Sequence, residues 1–531
     1  VLHVPRYTRL SNPATSCLLA EGILRNPAPG YSTTIHLRGL STGPRQGEPY
    51  NTAPCSITTS EDRVLKPTSL LGLSLELIGE VAEPGPYPAD ARVGRFFRGK
   101  RFLGSRDRRF ISGAVYSWLR FHDRARPRWK SWSKLRNLQD IESGSQQSMF
   151  LLDILALAQD GNFPWEFNPT CAAMIEWGDL EGHELDDRVR QAATDSFLDD
   201  QCWPEDPAER FAAETSMPPW LGRLLLEQMG EEEGREFANQ LCTGADVNLR
   251  VNTRRATRKK VLRSLQRETD AEVELSRYSP NGLRLNKRIN LTATTASRKS
   301  WIEVQDEGSQ IAVFSTDAAP GMTVIDACAG SGGKTLGLAD LLLAEGEEGE
   351  VPAHLQSRLI ACEIENRKLQ ELRRRTKEAR LTDKVEYALI GEEGDLSNTL
   401  PRAHLVLVDS PCTGLGTLRR NPEAKNRYGL EDVERFQSLQ LKILERFAAL
   451  VRPSGRLVYV TCSFLDGECD EVVKLFEERH PQFSASPSFW ASKRLPATCL
   501  DGHKIRLGPS TTGTDAFFIA SWRLEKPGRS D

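Results

Sequence analysis

Apolar residues change their spacing along this chain, from a helical period in the N-terminal part to short strand-like runs in the C-terminal part. Between residues 66 and 215 they recur at helical intervals, as in the leucine-rich stretch 70–78, and few β-branched runs intervene. Beyond residue 301, short apolar runs such as 405–408 alternate with helical segments, which is typical of a doubly wound, mostly parallel sheet. The pattern therefore predicts an all-helical domain over 66–215 and an α/β domain over 301–525.

A smaller α/β module is predicted between these two domains, over residues 216–300. Residues 247–252 alternate like a strand, residues 282–285 resemble a second strand, and a basic helix begins near Arg258. The Pro-Pro pair at 218–219 is typical of a connector into this module. The expected fold class is multidomain, with the α/β domain at the C-terminal end.

The first 65 residues have a different composition from the rest. Their first sixty positions hold five Arg, no Lys and two acids, together with many Ser and Thr. This composition is typical of an organelle transit segment, and simple disorder explains it equally well. Because the chain starts with Val1, we expect it to be truncated or processed. We expect a cytoplasmic protein if it is bacterial, and a mitochondrial or other organellar one if this segment is a transit peptide.

The charges are distributed unevenly although the net charge is only −3. Between Arg92 and Arg136 there are many Arg and Lys, and the only acids are Asp107 and Asp123. The aromatic residues of this stretch include Phe96, Phe97, Phe102, Trp118, Trp129 and Trp132. Such a stretch either binds phosphates and stacks bases, as in proteins that bind single-stranded nucleic acid, or forms a solvated helix face.

Cysteine usage argues against a zinc-binding protein and against a disulfide-rich protein. None of the eleven cysteines forms a Cys-x-x-Cys pair or a Cys/His cluster at zinc spacing, so the sequence predicts neither a metal site nor a disulfide framework. No apolar run approaches the length of a membrane span. We therefore expect no metal and no membrane partner, and a reducing compartment.

A glycine loop after the predicted strand 323–326 is the candidate cofactor site. Glycines permit a tight turn and let a ligand approach the backbone at a helix N-terminus. The residues concerned are Asp326, Cys328, Ala329, Gly330, Ser331, Gly332, Gly333 and Lys334. A phosphate-binding P-loop requires glycine where this chain has Cys328, which argues against a nucleotide triphosphate. Glu363, at the end of the next predicted strand, is placed to accept hydrogen bonds from ribose hydroxyls, as in sites for NAD or S-adenosylmethionine.

Two cysteines, Cys412 and Cys462, each follow a short apolar strand-like run. Catalytic side chains of an open α/β sheet collect where such strands end, so two thiols there predict covalent chemistry. A buried structural cysteine is the alternative. It does not account for the carboxylate of Asp409 and the glycines Gly414 and Gly416 beside Cys412. Hydride transfer would use neither thiol, so the pair favours S-adenosylmethionine over NAD.

Jointly, these motifs resemble the RsmB/Sun/Nop type of S-adenosylmethionine-dependent RNA cytosine-5 methyltransferase. The motifs are Val304-Gln305-Asp306-Glu307-Gly308-Ser309-Gln310, the 326–335 loop, Asp409-Ser410-Pro411-Cys412-Thr413-Gly414, Arg419-Arg420-Asn421-Pro422, Thr461-Cys462-Ser463 and Thr514-Asp515-Ala516-Phe517-Phe518. Upstream, residues 106–110 and 249–252 resemble the NusB-like helical domain and the small RNA-recognition-like module of bacterial members. The resemblance implies a Rossmann-like class I methyltransferase domain over 301–525.

The resemblance also implies roles for the site residues. Cys462 would add to carbon 6 of cytosine, and Cys412 would assist loss of the carbon 5 proton and release of the enzyme. Asp409 would hold the cytosine edge at the cofactor site, and Lys334 would lower the pKa of the attacking thiol. Related DNA methyltransferases use the Pro-Cys cysteine as nucleophile, which would exchange the two cysteine roles. The additional Thr461-Cys462 pair favours the RNA family.

Two departures from the family pattern affect the cofactor site. Gly330-Ser331 stands where the family usually has Ala-Pro, which gives this loop extra backbone freedom. An Asp commonly follows the third strand near the adenine, and here Glu392, Glu393 and Asp395 all remain candidates.

The implied partner is RNA. Ribosomal RNA is expected, transfer RNA is the alternative, and Arg419 and Arg420 are the predicted RNA-binding residues. We expect a monomer. An RNA-binding assembly factor that has lost activity remains a second functional class, although such a protein would not need the intact catalytic set.

Overall fold

The computed structural model describes residues 65, 67–82, 87–135, 203–343 and 356–526. The predicted N-terminal segment therefore lies outside the described residues, apart from Leu65. Residues 136–202, which form the second half of the predicted helical domain, also lie outside them.

Three helices form the first described part: α1 (Pro67–Ala82), α2 (Ala89–Gly99) and α3 (Ser105–Leu135). Their apolar faces pack together around Leu77, Ile111 and Leu119, each at most 1% exposed. These residues recur at the helical spacing seen in the sequence, so the helical character of this part is confirmed. The likeness to NusB stays a prediction.

Three shorter helices follow: α4 (Pro207–Glu214), α5 (Pro219–Met229) and α6 (Glu231–Leu241). The predicted connector at 218–219 is the start of α5, because proline is well suited to the first position of a helix. This layer packs on the α/β domain: Leu221 and Phe237 belong to one apolar cluster with Leu415 and Phe464. The Phe237 and Phe464 rings meet edge to face, with centroids 5.1 Å apart.

The small module folds as β1 (Val247–Val251), α7 (Arg258–Glu268), β2 (Val273–Leu275), β3 (Gly282–Leu285), α8 (Thr295–Arg298) and β4 (Ile302–Val304). Its sheet has the order β2-β3-β1-β4 with every neighbour antiparallel. This is the ferredoxin-like pattern. The predicted boundary at 301 differs from the structure, since β4 pairs with β1 and so belongs to the small sheet. Strand alternation alone could not assign β4 to either sheet.

The catalytic domain alternates helices and strands as the sequence predicted. Its elements are α9 (Glu307–Phe314), β5 (Thr323–Asp326), α10 (Gly333–Leu342), β6 (Arg358–Glu363), α11 (Asn366–Glu378), β7 (Glu386–Leu389), β8 (Ala403–Asp409), α12 (Leu430–Ala448), β9 (Val451–Thr461), α13 (Asp470–Arg479), β10 (Phe483–Ala485), α14 (Phe489–Arg494), β11 (Leu500–Asp501), β12 (Lys504–Leu507) and β13 (Phe517–Leu524).

The sheet of this domain has the order β11-β12-β13-β9-β8-β5-β6-β7, and β10 pairs with β13. Strands β7, β6, β5, β8 and β9 run parallel, while β13 and β12 extend the sheet antiparallel. Val324 and Ile325 of β5 belong to different apolar clusters on the two faces. Burial on both faces explains the uninterrupted apolar runs. The carboxyl ends of β5, β6, β8 and β9 lie at one edge, where the predicted catalytic residues and the glycine loop lie.

Candidate active site

The glycine loop between β5 and α10 is shaped by two residues with positive φ. Gly332 has φ +90°, and a Cβ atom there would lie 2.0 Å from Cδ1 of Leu372, so only glycine fits. Gly330 has φ +56°, and a Cβ atom there would have only the Cys328 carbonyl oxygen near it, at 4.0 Å. The Ala329 N–H donates to the Cys362 carbonyl at 2.9 Å, which fixes the loop to the end of β6.

Glu363 holds this loop through a hydrogen bond to its backbone. Its Oε2 accepts the Gly330 N–H at 2.9 Å, and its Oε1 accepts the N–H groups of Ile364 and Glu365 at 2.9 and 3.0 Å. A carboxylate has about four acceptor sites, so three backbone bonds leave capacity for one more donor. Glu363 and the uncrowded backbone at Gly330 therefore fit the ribose end of S-adenosylmethionine. The contact itself stays a prediction.

Asp326 lies deeper, at 1% exposure beneath the loop. Its Oδ2 accepts the Thr335 hydroxyl at 2.6 Å, which ties β5 to the first turn of α10. Burial raises the pKa of Asp326 to about 7, against the opposing effect of that hydrogen bond. Burial also raises the pKa of the nearby Cys328 thiol. The thiol therefore stays protonated, and Cys328 is an unreactive side chain that packs in the structure.

Lys334 and Asp409 form an ion pair next to the loop, with Nζ and Oδ2 2.8 Å apart. The lysine is 10% exposed and the aspartate 29%, so the carboxylate is the more accessible partner. Burial opposes the charge of Lys334, but the neighbouring Asp409 carboxylate overrides it and the pKa of Lys334 is raised. The lysine therefore remains a cation, and its charge interacts with Cys462. Its Nζ also lies 5.4 Å from the Phe517 ring centroid.

The two predicted catalytic thiols lie side by side. The sulfur atoms of Cys412 and Cys462 are 3.3 Å apart, well beyond the ~2.05 Å of a disulfide bond. Both side chains are partly exposed. The hydrogen bond to Cys462, together with burial, raises the pKa of Cys412 well above its ordinary range. The raised pKa keeps the Cys412 thiol protonated, and its S–H lies within hydrogen-bonding distance of the Cys462 sulfur.

A close backbone contact fixes the two thiol loops against each other. The Gly416 N–H donates to the Cys462 carbonyl at 3.0 Å, and the Gly416 carbonyl accepts the Ala516 N–H at 2.9 Å. A Cβ atom on Gly416 would lie 2.1 Å from the Ala516 oxygen. The terminal motif, noted in the sequence without a role, is thus a support for both loops.

Sequence reasoning missed Glu468, which lies entirely buried beneath both thiol loops. Its Oε2 accepts the hydroxyls of Thr413 and Ser463, both at 2.6 Å. Glu468 follows Cys462 by six positions, within a run that also holds Asp466. Nothing in that spacing distinguishes a buried carboxylate from an exposed one, so the sequence offered no usable signal.

Arg419 and Arg420 do not face the thiol loops as open cations. Arg420 donates to Asp515 Oδ2, to the Asp246 carbonyl and to Asp306 Oδ1, at 2.8, 2.8 and 2.6 Å. Arg419 donates to the carbonyls of Gly513 and Gly244. The structure therefore gives both arginines a structural role that links the small module to the catalytic domain. These bonds engage three of the five N–H groups of Arg420 and two of the five of Arg419, and their contact with RNA stays a prediction.

The predicted acids after β7 differ in their partners. Glu393 pairs with Lys442, and Asp395 accepts hydrogen bonds from Ser397. The carboxylate of Glu392 has no partner among the described residues, so it is the most available of the three. Which of them contacts the adenine stays a prediction.

The aromatic residues of the basic stretch are mostly packed inside. Phe96 is buried with the core of the N-terminal helices, and Trp118 stacks on His122 with ring centroids 4.2 Å apart. Phe102 is exposed at 69%, and the side chains of Trp129 and Trp132 lie outside the described residues. Of the residues seen, Phe102 alone is presented as a stacking platform.

No three metal-ligating side chains gather within the described ranges. None of the helices described there combines the length and the apolar character that crossing a bilayer requires.

Comparison with known proteins places these features in one family. Residues 315–523 match the family described as 16S rRNA methyltransferase RsmB/F, and residues 217–292 match its ferredoxin-like domain. The chain is 32% identical over 324 residues to a probable ribosomal RNA small subunit methyltransferase B of Bacillus subtilis, covering 60% of this chain and 69% of that one. A protein of the same description from Synechocystis is 29% identical over 316 residues, covering 58% and 66%. The alignments span about two thirds of each relative's length.

The crystal structure of PH0851 has the same fold, with a TM-score of 0.64, 22% identity, and coverage of 87% of this chain and 100% of that one. Fold and site together define a Rossmann-like methyltransferase that uses S-adenosylmethionine. This chain belongs to the RsmB/F methyltransferase family. The resemblance seen in the sequence is thereby confirmed.

Proposed function

We propose that the protein methylates carbon 5 of cytosine in RNA, with small-subunit ribosomal RNA as the substrate, through a covalent bond between Cys462 and carbon 6 of the base. The observation that carries this proposal is the pair of sulfur atoms 3.3 Å apart, beside the Lys334–Asp409 pair and the cofactor loop. Methylation on a nitrogen or oxygen of RNA would need no thiol. Two thiols, one protonated and one beside a lysine cation, fit a reaction that adds and then removes a nucleophile.

Each residue has a distinct part in the proposed reaction. Bound S-adenosylmethionine supplies the methyl group. The Cys462 thiolate adds to carbon 6, and the accessible Asp409 carboxylate accepts a hydrogen bond from the protonated ring. Addition turns carbon 5 into an enamine carbon that accepts the methyl group. Lys334 stabilises both anions, since it pairs with Asp409 and interacts with Cys462.

Release of the product assigns a separate role to Cys412. After methyl transfer, the carbon 5 proton passes to solvent and the bond between carbon 6 and Cys462 breaks. The departing sulfur carries negative charge, and the Cys412 sulfur lies 3.3 Å from that atom, within reach to donate its S–H. A hydrogen bond that forms where charge develops lowers the barrier of this step. Cys412 therefore assists departure rather than attack.

Support for a nucleic acid substrate comes from the exposed side of α7 and its neighbour α8. This surface, named the α7 cation face, consists of Lys259, Lys260, Arg263 and Lys299, all exposed. Lys260 and Lys299 lie over the Trp301 ring, at 4.7 and 5.1 Å from its centroid. No carboxylate forms an ion pair with any of the four within the described part of the chain. Unpaired cations are what a phosphate backbone needs.

The proposal is tested with purified protein, S-adenosylmethionine and two RNA substrates, small-subunit ribosomal RNA and transfer RNA. We expect bisulfite sequencing to show a newly protected cytosine in the ribosomal RNA only when the cofactor is present. Protection confined to transfer RNA would move the proposal to that substrate. Methyl incorporation without any protected cytosine would contradict the assignment of carbon 5.

A further inference from the structure

The proposed reaction leaves one buried charged group without a role. Glu468 has 0% exposure and accepts four hydrogen bonds. Oε1 accepts the Thr413 N–H at 2.8 Å and the Gln440 amide at 3.0 Å, while Oε2 accepts the hydroxyls of Thr413 and Ser463. No Lys, Arg or His forms an ion pair with it within the described residues. All four of its hydrogen-bond donors are neutral groups.

Three of these four donors belong to residues directly beside the two catalytic cysteines in the sequence. Thr413 follows Cys412 and Ser463 follows Cys462, so one carboxylate clamps both thiol loops at the residue next to each sulfur. Gln440 extends the clamp, because its amide also donates to the Pro411 carbonyl at 3.0 Å. The contact between the two sulfur atoms therefore depends on Glu468.

The charge of Glu468 also distinguishes the two sulfurs. The titratable groups that face Cys412 are Cys462, Glu468 and Tyr459 of β9. The Glu468 charge is one cause of the raised pKa of Cys412, after the hydrogen bond to Cys462, burial and the charge of Cys462. The cation of Lys334 acts on Cys462. The charge of Glu468 thus favours the protonated form of Cys412.

We propose that Glu468 is a positioning residue that holds Cys412 as the proton-bearing thiol, so that Cys462 attacks the base and Cys412 assists its departure. Glu468 acts through the two loops and does not reach the substrate. The inference rests on the proposed function for its catalytic meaning, but the protonation of Cys412 can be measured without RNA.

The test compares Glu468→Gln with the parent protein by alkylation of Cys412 with iodoacetamide over a range of pH, quantified by mass spectrometry. Glutamine keeps the shape, since its oxygen can accept the two N–H donors while its amide donates to the two hydroxyl oxygens. Only the charge is lost. The pKa of Cys412 should fall, so Cys412 should become alkylated at lower pH than in the parent. In turnover with RNA, the decline at high pH should likewise begin at lower pH, and more covalent protein–RNA adduct should persist there.

Glu307→Gln is the matched control. Glu307 is also a buried carboxylate, and its Oε1 accepts the N–H groups of Tyr278 and Ser279 at 2.7 and 2.8 Å, in contact with the small module rather than the thiols. Its glutamine variant should leave Cys412 alkylation unchanged. An unchanged Cys412 profile in Glu468→Gln, or an equal shift in both variants, would overturn the inference.

A second variant keeps the inference open to test if Glu468→Gln does not fold. Ser463→Ala removes one donor and leaves the carboxylate, so the pKa of Cys412 should rise and its alkylation should move to higher pH. An unchanged or lowered alkylation pH would overturn the inference. The alkylation results stand whether or not RNA is methylated, so failure of the proposed function can be recognised separately by the absence of 5-methylcytosine.

Discussion

The loop that carries Cys412 and the loop that carries Cys462 end neighbouring parallel strands, yet they surround their sulfur atoms with opposite charges. Cys412 lies above the buried Glu468 carboxylate, and Cys462 interacts with the Lys334 cation. Neither charge comes from the residues that flank the cysteines in the sequence. Two identical residues thus acquire different roles from neighbours that only the tertiary fold places beside them. The variants described below either remove this difference between the two loops or measure it.

The largest effect is expected from Cys462→Ala. Without the attacking sulfur, carbon 5 is not activated, and we expect methyl transfer to fall on the order of 10⁴-fold or more, as when other enzymes lose their nucleophile. Incorporation of labelled methyl groups into RNA measures this loss. If Cys462→Ala keeps its activity while Cys412→Ala loses it, the two loops have the exchanged roles known from DNA methyltransferases.

A different defect is expected from Cys412→Ala. Attack and methyl transfer should proceed, but the departing Cys462 sulfur loses its hydrogen-bond donor, so a covalent protein–RNA adduct should accumulate. A slower band on a denaturing gel that disappears after RNase treatment measures it. The double variant with Cys462→Ala serves as the control and should show no such band. Normal turnover of Cys412→Ala would contradict the role assigned to Cys412.

The strands and the positions of the two cysteines could be predicted from the sequence, because they depend on local patterns of apolar residues. Strands such as Thr323–Asp326 and Gly282–Leu285 were predicted with the bounds that the structure shows, since their apolar runs are short and end at loops. The positions of Cys412 and Cys462 at strand ends follow from the same runs.

The parts that the sequence did not predict depend on distant contacts. In the sequence, Glu468 resembles any surface acid until the fold buries it, and nothing near Arg420 indicates its ion pairs with Asp515 and Asp306. The predicted boundary at residue 301 separated β4 from the small sheet for the same reason, since strand alternation does not specify the pairing partner. Burial and pairing are properties of the whole fold, and a single sequence does not show them.

The third effect concerns the charge on the Cys462 side. Asp409→Asn removes the carboxylate that most stabilises the Lys334 cation, so burial meets weaker opposition from Cys462 and Asp326 and the pKa of Lys334 should fall. The substitution also removes the carboxylate that accepts a hydrogen bond from the cytosine ring. We therefore expect kcat to fall about 10²-fold, as for loss of one preorganised polar group. The activity that remains should decline at lower pH than in the parent, because Lys334 loses its proton earlier.

Asp340→Asn is the control for Asp409→Asn. Asp340 pairs with the buried Arg250 outside the thiol loops. Breaking that pair should lower stability, by about 3–5 kcal/mol as for other buried pairs, and leave the pH profile of turnover unchanged. Equal pH shifts in the two variants would show that the Lys334–Asp409 pair has no special part in the reaction.

A smaller effect is expected where the two loops touch. In Gly416→Ala the new methyl group would overlap the Ala516 carbonyl, so the loops must separate. Overpacking of this kind costs about 1–3 kcal/mol, measurable by urea unfolding, and turnover should slow as the sulfur atoms move apart. Gly244→Ala is the control, because a Cβ atom at Gly244 would have no other atom within 4 Å. A Gly416→Ala protein of normal stability and turnover would show that the contact between the loops is dispensable.

The smallest effect is expected far from the thiols, on the α7 cation face. Replacing Lys259 and Arg263 by Gln removes two exposed cations that have no ion-pair partner in the described structure. If both contact phosphates of a single strand, the slope of log affinity against log salt concentration should decrease by about 1.4, or ~0.7 for each charge. Because neither residue reaches the thiol loops, kcat at saturating RNA should stay unchanged while KM for RNA rises. Lys442→Gln, which removes a cation already paired with Glu393, should alter neither quantity. An unaltered salt slope in the double variant would place the RNA on another surface and leave the assignment of the two thiols untouched, since their contrast depends on Lys334 and Glu468.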